Sequence, residues 1–158
     1  MKKTIQTEVE IIPYQEKFKE AFREINYEWL EKFFEVTALD KKFFDNPSKE
    51  IIDKGGYIYL SLLDHKIIGS IALERVTDKE YALAKMRVKP NYQGRRVGQL
   101  LIEKALKKSN ELDLESLILY TNHRLIGALN LYGKYGFKFV EVDNAAFERA
   151  TIKMQLKF

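Results

Sequence analysis

Three apolar runs follow one another across the middle of the chain, at 57–63, 66–76 and 81–88. Turn-forming residues bound each of them: Gly55-Gly56, Asp64-His65, Thr77-Asp78-Lys79 and finally Pro90. Runs of this length between such breaks predict a meander of strands. Gly69 inside the second run marks a candidate bulge. Further strands are predicted at 8–13, 116–121, 137–142 and 151–158.

Elsewhere the apolar period changes. Tyr14, Phe18, Phe22, Ile25, Trp29 and Phe33 recur at spacings of three and four, which predicts a helix from Tyr14 onward. A short helical turn is expected from Asp40 to Phe44. Asn46-Pro47 reads as an N-cap followed by a first-turn proline, opening a helix that Gly55-Gly56 stops. Leu100, Leu101, Ala105, Leu106 and Leu112 make 98–112 amphipathic, and a last helix at 125–135 ends at Gly136. The order is β-α-α-β-β-β-α-β-α-β-β, a mixed α/β (α+β) fold. Its first strands should be antiparallel. Residues 81–121 form a β-α-β unit, whose strands should be parallel with a right-handed crossover. Ligands of such units bind beyond the carboxyl ends of the strands, which points to the rim at 88–98 and 121–124.

Composition narrows the possibilities. With 158 residues, 46% apolar and 32% charged, the chain reads as one globular domain over 1–158. It has no cysteine, which excludes disulfides and thiolate nucleophiles. The basic start at 1–4 is followed too soon by Glu8 and Glu10 for a secretory signal, and no apolar run could span a bilayer. A cytoplasmic location is expected. The net charge of +4 comes from basic residues interleaved with acidic ones, so neither nucleic acid nor membrane is an expected partner. His65 and His123 lie far apart without ligand spacing, and no metal is expected.

Residues 93–98, Gln-Gly-Arg-Arg-Val-Gly, join a strand to the long helix. Backbone N–H groups at such a helix start lack intrahelical partners and sit at the positive end of its dipole. Gly94 and Gly98 leave room for close approach, and Arg95 and Arg96 add charged donors. Together they describe an anion site. It matches neither the GxGxxG nor the GxxxxGK[ST] pattern.

The turn resembles that of the GNAT-type N-acyltransferases, Gln/Arg-x-x-Gly-x-Gly/Ala, through Gln93, Arg96 and Gly98. Arg96 stands where that family carries glycine, and arginine disfavours positive φ. Val88-x-Pro90 before the turn and Leu100-Leu101 after it also match. So does the later Ala128-x-x-Leu131-Tyr132-x-x-x-Gly136-Phe137. Asn26 to Lys32, Asp45-Asn46-Pro47 and Gly55-Gly56 look like one bacterial branch of the family. The resemblance covers almost the whole chain. It implies a mostly antiparallel sheet of about seven strands, flanked by helices, whose single parallel pair splays to admit acyl-CoA.

The resemblance also implies roles. Backbone groups of Met86 and Val88 would pair with the pantetheine arm of acetyl-CoA. Gln93, Gly94, Arg95, Arg96, Val97, Gly98 and Gln99 would hold its pyrophosphate. Asn130 and Tyr132 would face the thioester, with Tyr132 as acid to the leaving thiolate, and Lys134 or nearby basic groups would meet the nucleotide phosphates. The glutamate many relatives use as base falls at Ala82, which leaves Glu74 or Glu80, or a water path, for that task. Tyr27 and Phe34, with Phe43, stand outside the helical period and are candidates to wall the acceptor pocket. Asn122 and His123 on the rim are further candidate substrate contacts. The expected activity is transfer of an acetyl group to an amine, by a monomer or homodimer. A non-catalytic acyl-CoA sensor of the same fold is the alternative.

Overall fold

The computed structural model describes residues 8–142 and 150–158; the basic start at 1–4 lies outside them. Among the described residues seven strands form one sheet in the order β1-β2-β3-β4-β5-β7-β6. They are β1 (Glu10–Pro13), β2 (Tyr57–Leu63), β3 (Lys66–Arg75), β4 (Glu80–Val88), β5 (Ser116–Thr121), β6 (Lys138–Val140) and β7 (Ile152–Lys157). Every neighbouring pair is antiparallel except β4 with β5. The helices are α1 (Lys19–Phe33), α2 (Ala38–Asp45), α3 (Val97–Glu111) and α4 (Ile126–Lys134).

Alternation along the central strands divides the core in two. Ile71, Leu73, Tyr81 and Leu83 pack on one face with Val97, Leu101, Ile102 and Ala105 of α3. Ile58, Leu60 and Ala72 pack on the other with Phe22, Ile25 and Leu30 of α1 and Phe44 of α2. Among the described residues no helix is long and apolar enough to cross a membrane.

Three boundaries differ from the sequence reading. The helical period begins at Tyr14, but the Tyr14 N–H donates to the Ile58 carbonyl at 2.9 Å and prolongs the β1–β2 pairing. A single 3-10 turn, Glu16–Phe18, then leads into α1. The short turn expected at Asp40 is a two-turn helix from Ala38. Thr37 and Asp40 cap it reciprocally, the Asp40 N–H donating to Thr37 Oγ1 and the Thr37 N–H to the Asp40 carboxylate. After Asn46-Pro47 the chain forms a π-helical segment, Ser48–Ile52.

The irregularity expected at Gly69 lies beside it: Ser61 pairs with Gly69 and Leu62 with Ile67, leaving Ile68 extra. A second bulge governs the site. Ser70 pairs with Arg87 and Ala72 with Ala84, so β4 carries an additional residue. Lys85 absorbs it at φ 54, and its carbonyl accepts the Ser70 hydroxyl at 2.7 Å. Ser70 Oγ also accepts from Asn26 Nδ2 of α1 at 3.4 Å, so the bulge is tied through β3 to the helix above it.

Candidate active site

The parallel contact between β4 and β5 is short. Glu80, Tyr81 and Ala82 pair with Ser116, Leu117 and Ile118, and there the pairing ends. β4 continues to Val88 along β3, while β5 continues to Thr121 along β7. The bulge at Lys85 bends β4 just past the last pair, as bulges do. The two strands therefore part, and α4 brings Ala128, Leu131 and Tyr132 to the opening.

At the far end of β4 the chain makes a 3-10 turn at Pro90–Tyr92 and enters α3 through Gly94 at φ 79 and Arg96 at φ 65. The first intrahelical bond runs from the Leu100 N–H to the Arg96 carbonyl. The N–H groups of Val97, Gly98 and Gln99 thus precede the helical ladder. No acidic residue occupies the first turn. Gly98 is needed for packing: a Cβ there would lie 2.9 Å from Met86 Cε and 3.2 Å from Leu131 Cδ2.

Two cavities open from this cleft. One runs from the α3 turn to α4 and is lined by Val88, Gln93, Gly94, Arg96, Val97, Gly98 and Gln99 among others. The second lies under the end of α1 and is lined by Phe34, Glu74, Ala82, Lys85, Tyr120 and Asn122 among others. Trp29, Met86, Arg87, Leu125, Ala128 and Tyr132 line both. Tyr132 is buried at this junction, and burial pushes its phenol up to about 12, against a smaller lowering by Arg87. It holds its proton at neutral pH.

The profile of the Acetyltransferase (GNAT) family matches residues 19–137. The chain belongs to that family. A Bacillus subtilis (strain 168) protein, the uncharacterised N-acetyltransferase YvbK, is 26% identical over 107 residues, 66% of this chain and 69% of that protein. An acetyltransferase of the GNAT family from Staphylococcus aureus Mu50 has a TM-score of 0.87 to this structure at 22% identity, covering 95% of this chain and 99% of that one. PaiA N-acetyltransferase from Thermoplasma acidophilum, solved in complex with coenzyme A, gives 0.77 at 18% identity, covering 96% and 99%.

On this GNAT fold the residues singled out from sequence divide clearly. Met86, Val88, Gln93, Gly94, Arg96, Val97, Gly98, Gln99 and Tyr132 line the first cavity. Arg95 does not: it is exposed beside the Tyr92 ring. Asn130 is exposed on α4 and lines neither cavity. Lys134 is likewise exposed and away from both. Glu74, Phe34 and Asn122 line the second cavity. Glu80 sits where the sheet is still closed, accepting from Ser116 Oγ at 2.6 Å and from Gln155 Nε2 at 3.5 Å. Tyr27 packs edge-on against Phe44, Phe43 packs beside Phe44, and His123 is exposed with Nδ1 3.3 Å from Thr151 Oγ1. None of these three lines the second cavity.

Sequence reasoning missed Trp29, Lys85 and Arg87. Trp29 falls on the apolar stripe of α1 and reads as core, yet it stacks on Arg87 with the guanidinium carbon 3.5 Å from its ring centre. The available signal was Arg87 itself, a charge between Met86 and Val88 close to the predicted rim.

Proposed function

We propose that the protein transfers an acetyl group from acetyl-CoA to a primary amine by direct attack in a ternary complex. One observation supports this above the others: two cavities meet at a buried, protonated Tyr132, and the first reaches a helix N-terminus stripped of acidic residues. The N–H groups of Val97, Gly98 and Gln99, with the Arg96 side chain, suit the pyrophosphate. Among the described residues the edge of β4 turned toward β5 has no strand partner beyond Ala82, and an extended ligand bearing amides can pair with it at Met86 and Val88.

The amine nitrogen attacks the thioester carbon, the C–S bond breaks, Tyr132 gives its proton to the departing thiolate, and the proton that the nitrogen sheds as the amide forms returns through water to the Tyr132 phenolate. The amine must first lose a proton. For a lysine-like group with pKa ~10.4, reaching the neutral form at pH 7 costs ~4.6 kcal/mol. Glu74 is the carboxylate among the described lining of the second cavity, and it takes that proton directly or through water. This reading treats 1–158 as one catalytic domain, working in the cytoplasm as a monomer or homodimer without metal, nucleic acid or membrane.

The test is release of free thiol from acetyl-CoA across an amine panel, read beside thermal shift with CoA esters. A ligand at 100 times its Kd adds ~2.7 kcal/mol, which corresponds to roughly 5 °C. No shift with any CoA ester removes the proposal. A shift with no thiol release from any amine replaces it with a binding module.

A further inference from the structure

The second cavity has three charged side chains in its described lining: Glu74, Lys85 and Arg87. The two cations are each held on aromatic faces. Arg87 stacks on Trp29, and the Lys85 ammonium lies 4.5 Å from the Phe43 ring centre and 5.7 Å from that of Phe44. Glu74 stands at the other end. Arg87 pairs with Ser70 and Ala82 with Glu74, four positions further along β3. At the rise of a strand that is ~13 Å between backbones.

Arg87 alone is charged among the six residues that line both cavities. It therefore borders the place where acyl group and amine must meet. Its Nη1 donates to the Met86 carbonyl at 2.8 Å, and Trp29 fixes the plane of the guanidinium. A stacked guanidinium offers its N–H groups in one plane, the geometry that receives a carboxylate bidentately. A guanidinium so placed suits an anionic group on the acceptor, and a carboxylate a few bonds from the amine supplies one.

We infer that the acceptor is an amine that also bears a carboxylate, an amino-acid-like molecule, and that Arg87 binds the carboxylate while the amine lies on its Glu74 side. This rests on the acyltransferase reading above. Among the described residues, the chemistry that recognises the acceptor is then split between the poles of one cavity, with Trp29 and Phe34 as its apolar walls.

Matched pairs of amines test it: glycine and methylamine, γ-aminobutyrate and butylamine, lysine and cadaverine. The measurement is kcat/KM for thiol release from acetyl-CoA. In at least one pair the carboxylate-bearing member should be preferred by about tenfold or more, and Arg87→Gln should cut that preference by about tenfold, chiefly through KM. Arg87→Lys keeps a cation over Trp29 and should give an intermediate preference. Trp29 is the only tryptophan of the chain, so its fluorescence reports occupancy at Arg87 directly. Titration of the preferred amino acid, with coenzyme A present, should give a saturable change that its plain amine does not.

Preference for the plain amine in every pair overturns the inference. So does a preference that survives in Arg87→Gln, or a Trp29 signal that no carboxylate-bearing amine changes. Thiol release indifferent to the carboxylate sinks this inference alone. Absence of both thiol release and CoA-ester binding sinks the acyltransferase reading with it.

Discussion

Glu74 on β3 is the register partner of Ala82 on β4, and both line the same cavity. Directly opposed residues of an antiparallel pair share a face, with Cβ atoms ~4.5–5.5 Å apart. The alanine methyl leaves the space above it to the longer side chain of its neighbour. Glu74 thereby brings a carboxylate from β3 to the cavity, and in the proposed reaction it is the proton acceptor. We expect Glu74→Gln to lower kcat/KM by about 10²-fold, within the range for loss of a proton acceptor. Acetyl-CoA affinity should stay within about twofold, since Glu74 lines only the second cavity. The exchange Glu74→Gln with Ala82→Glu should recover part of the rate. A single variant as fast as the parent would remove Glu74 from proton transfer.

Arg96 takes a left-handed conformation immediately before α3, at φ 65. An L-residue there costs roughly 1–2 kcal/mol relative to the right-handed region. Glycine is free of that penalty, alanine is not. Urea unfolding should therefore find Arg96→Gly more stable than Arg96→Ala by about 1 kcal/mol. Both variants lose the guanidinium and should bind acetyl-CoA several-fold more weakly, with a smaller deficit at high salt. Equal stability of the two would mean that the turn relaxes once the arginine is gone.

Ser70 is fully buried, and its hydroxyl donates to the Lys85 carbonyl at the bulge. Removing one partner of a buried hydrogen bond costs about 1–3 kcal/mol. Ser70→Ala should lose that much in denaturant unfolding. Lys85 and Arg87 follow from the bulge, so the variant should raise the acceptor KM more than the acetyl-CoA Kd. A change confined to acetyl-CoA binding would contradict this account of the bulge.

The strands of the meander and the two later helices were legible because period and turn residues coincide there. Asp64 and His65 both take positive φ between β2 and β3, as a tight hairpin turn requires. The turn into α3 was legible for the same reason, local chemistry at a helix start. Tyr14 reads as helical because its side chain continues the apolar period into the α1 core, while its backbone belongs to the sheet. Periodicity reports which way a side chain faces and says nothing of the N–H. The second cavity was least legible. Its lining comes from α1, β3, β4, β5 and α4, and no local pattern brings Trp29 to Arg87 or Glu74 to Ala82. Those meetings depend on an extra residue in β4 that a strand pattern does not reveal.

Tyr132 joins chemistry to stability. Its phenol is raised from 10.0 to about 12, first by burial, with Arg87 acting the other way. A tyrosine in the unfolded chain ionises near ~10. Below that pH both states hold the proton and the contribution of Tyr132 is fully present. Between about 10 and 12 the unfolded state ionises while the folded state does not, and stability is lost. For Tyr132 the loss is on the order of 1 kcal/mol by about pH 11. Tyr132→Phe has no phenol to ionise and should escape this part, whatever the other tyrosines contribute to both proteins. Unfolding in urea at about pH 8 and about pH 11 should thus show the parent losing more than the variant, by an amount on the order of 1 kcal/mol. At neutral pH the same variant should bind acetyl-CoA within about twofold of the parent and turn over at least about tenfold more slowly, because the thiolate leaves without a donor. Equal alkaline losses would show that the ring reaches water, and unchanged turnover would take Tyr132 out of the reaction.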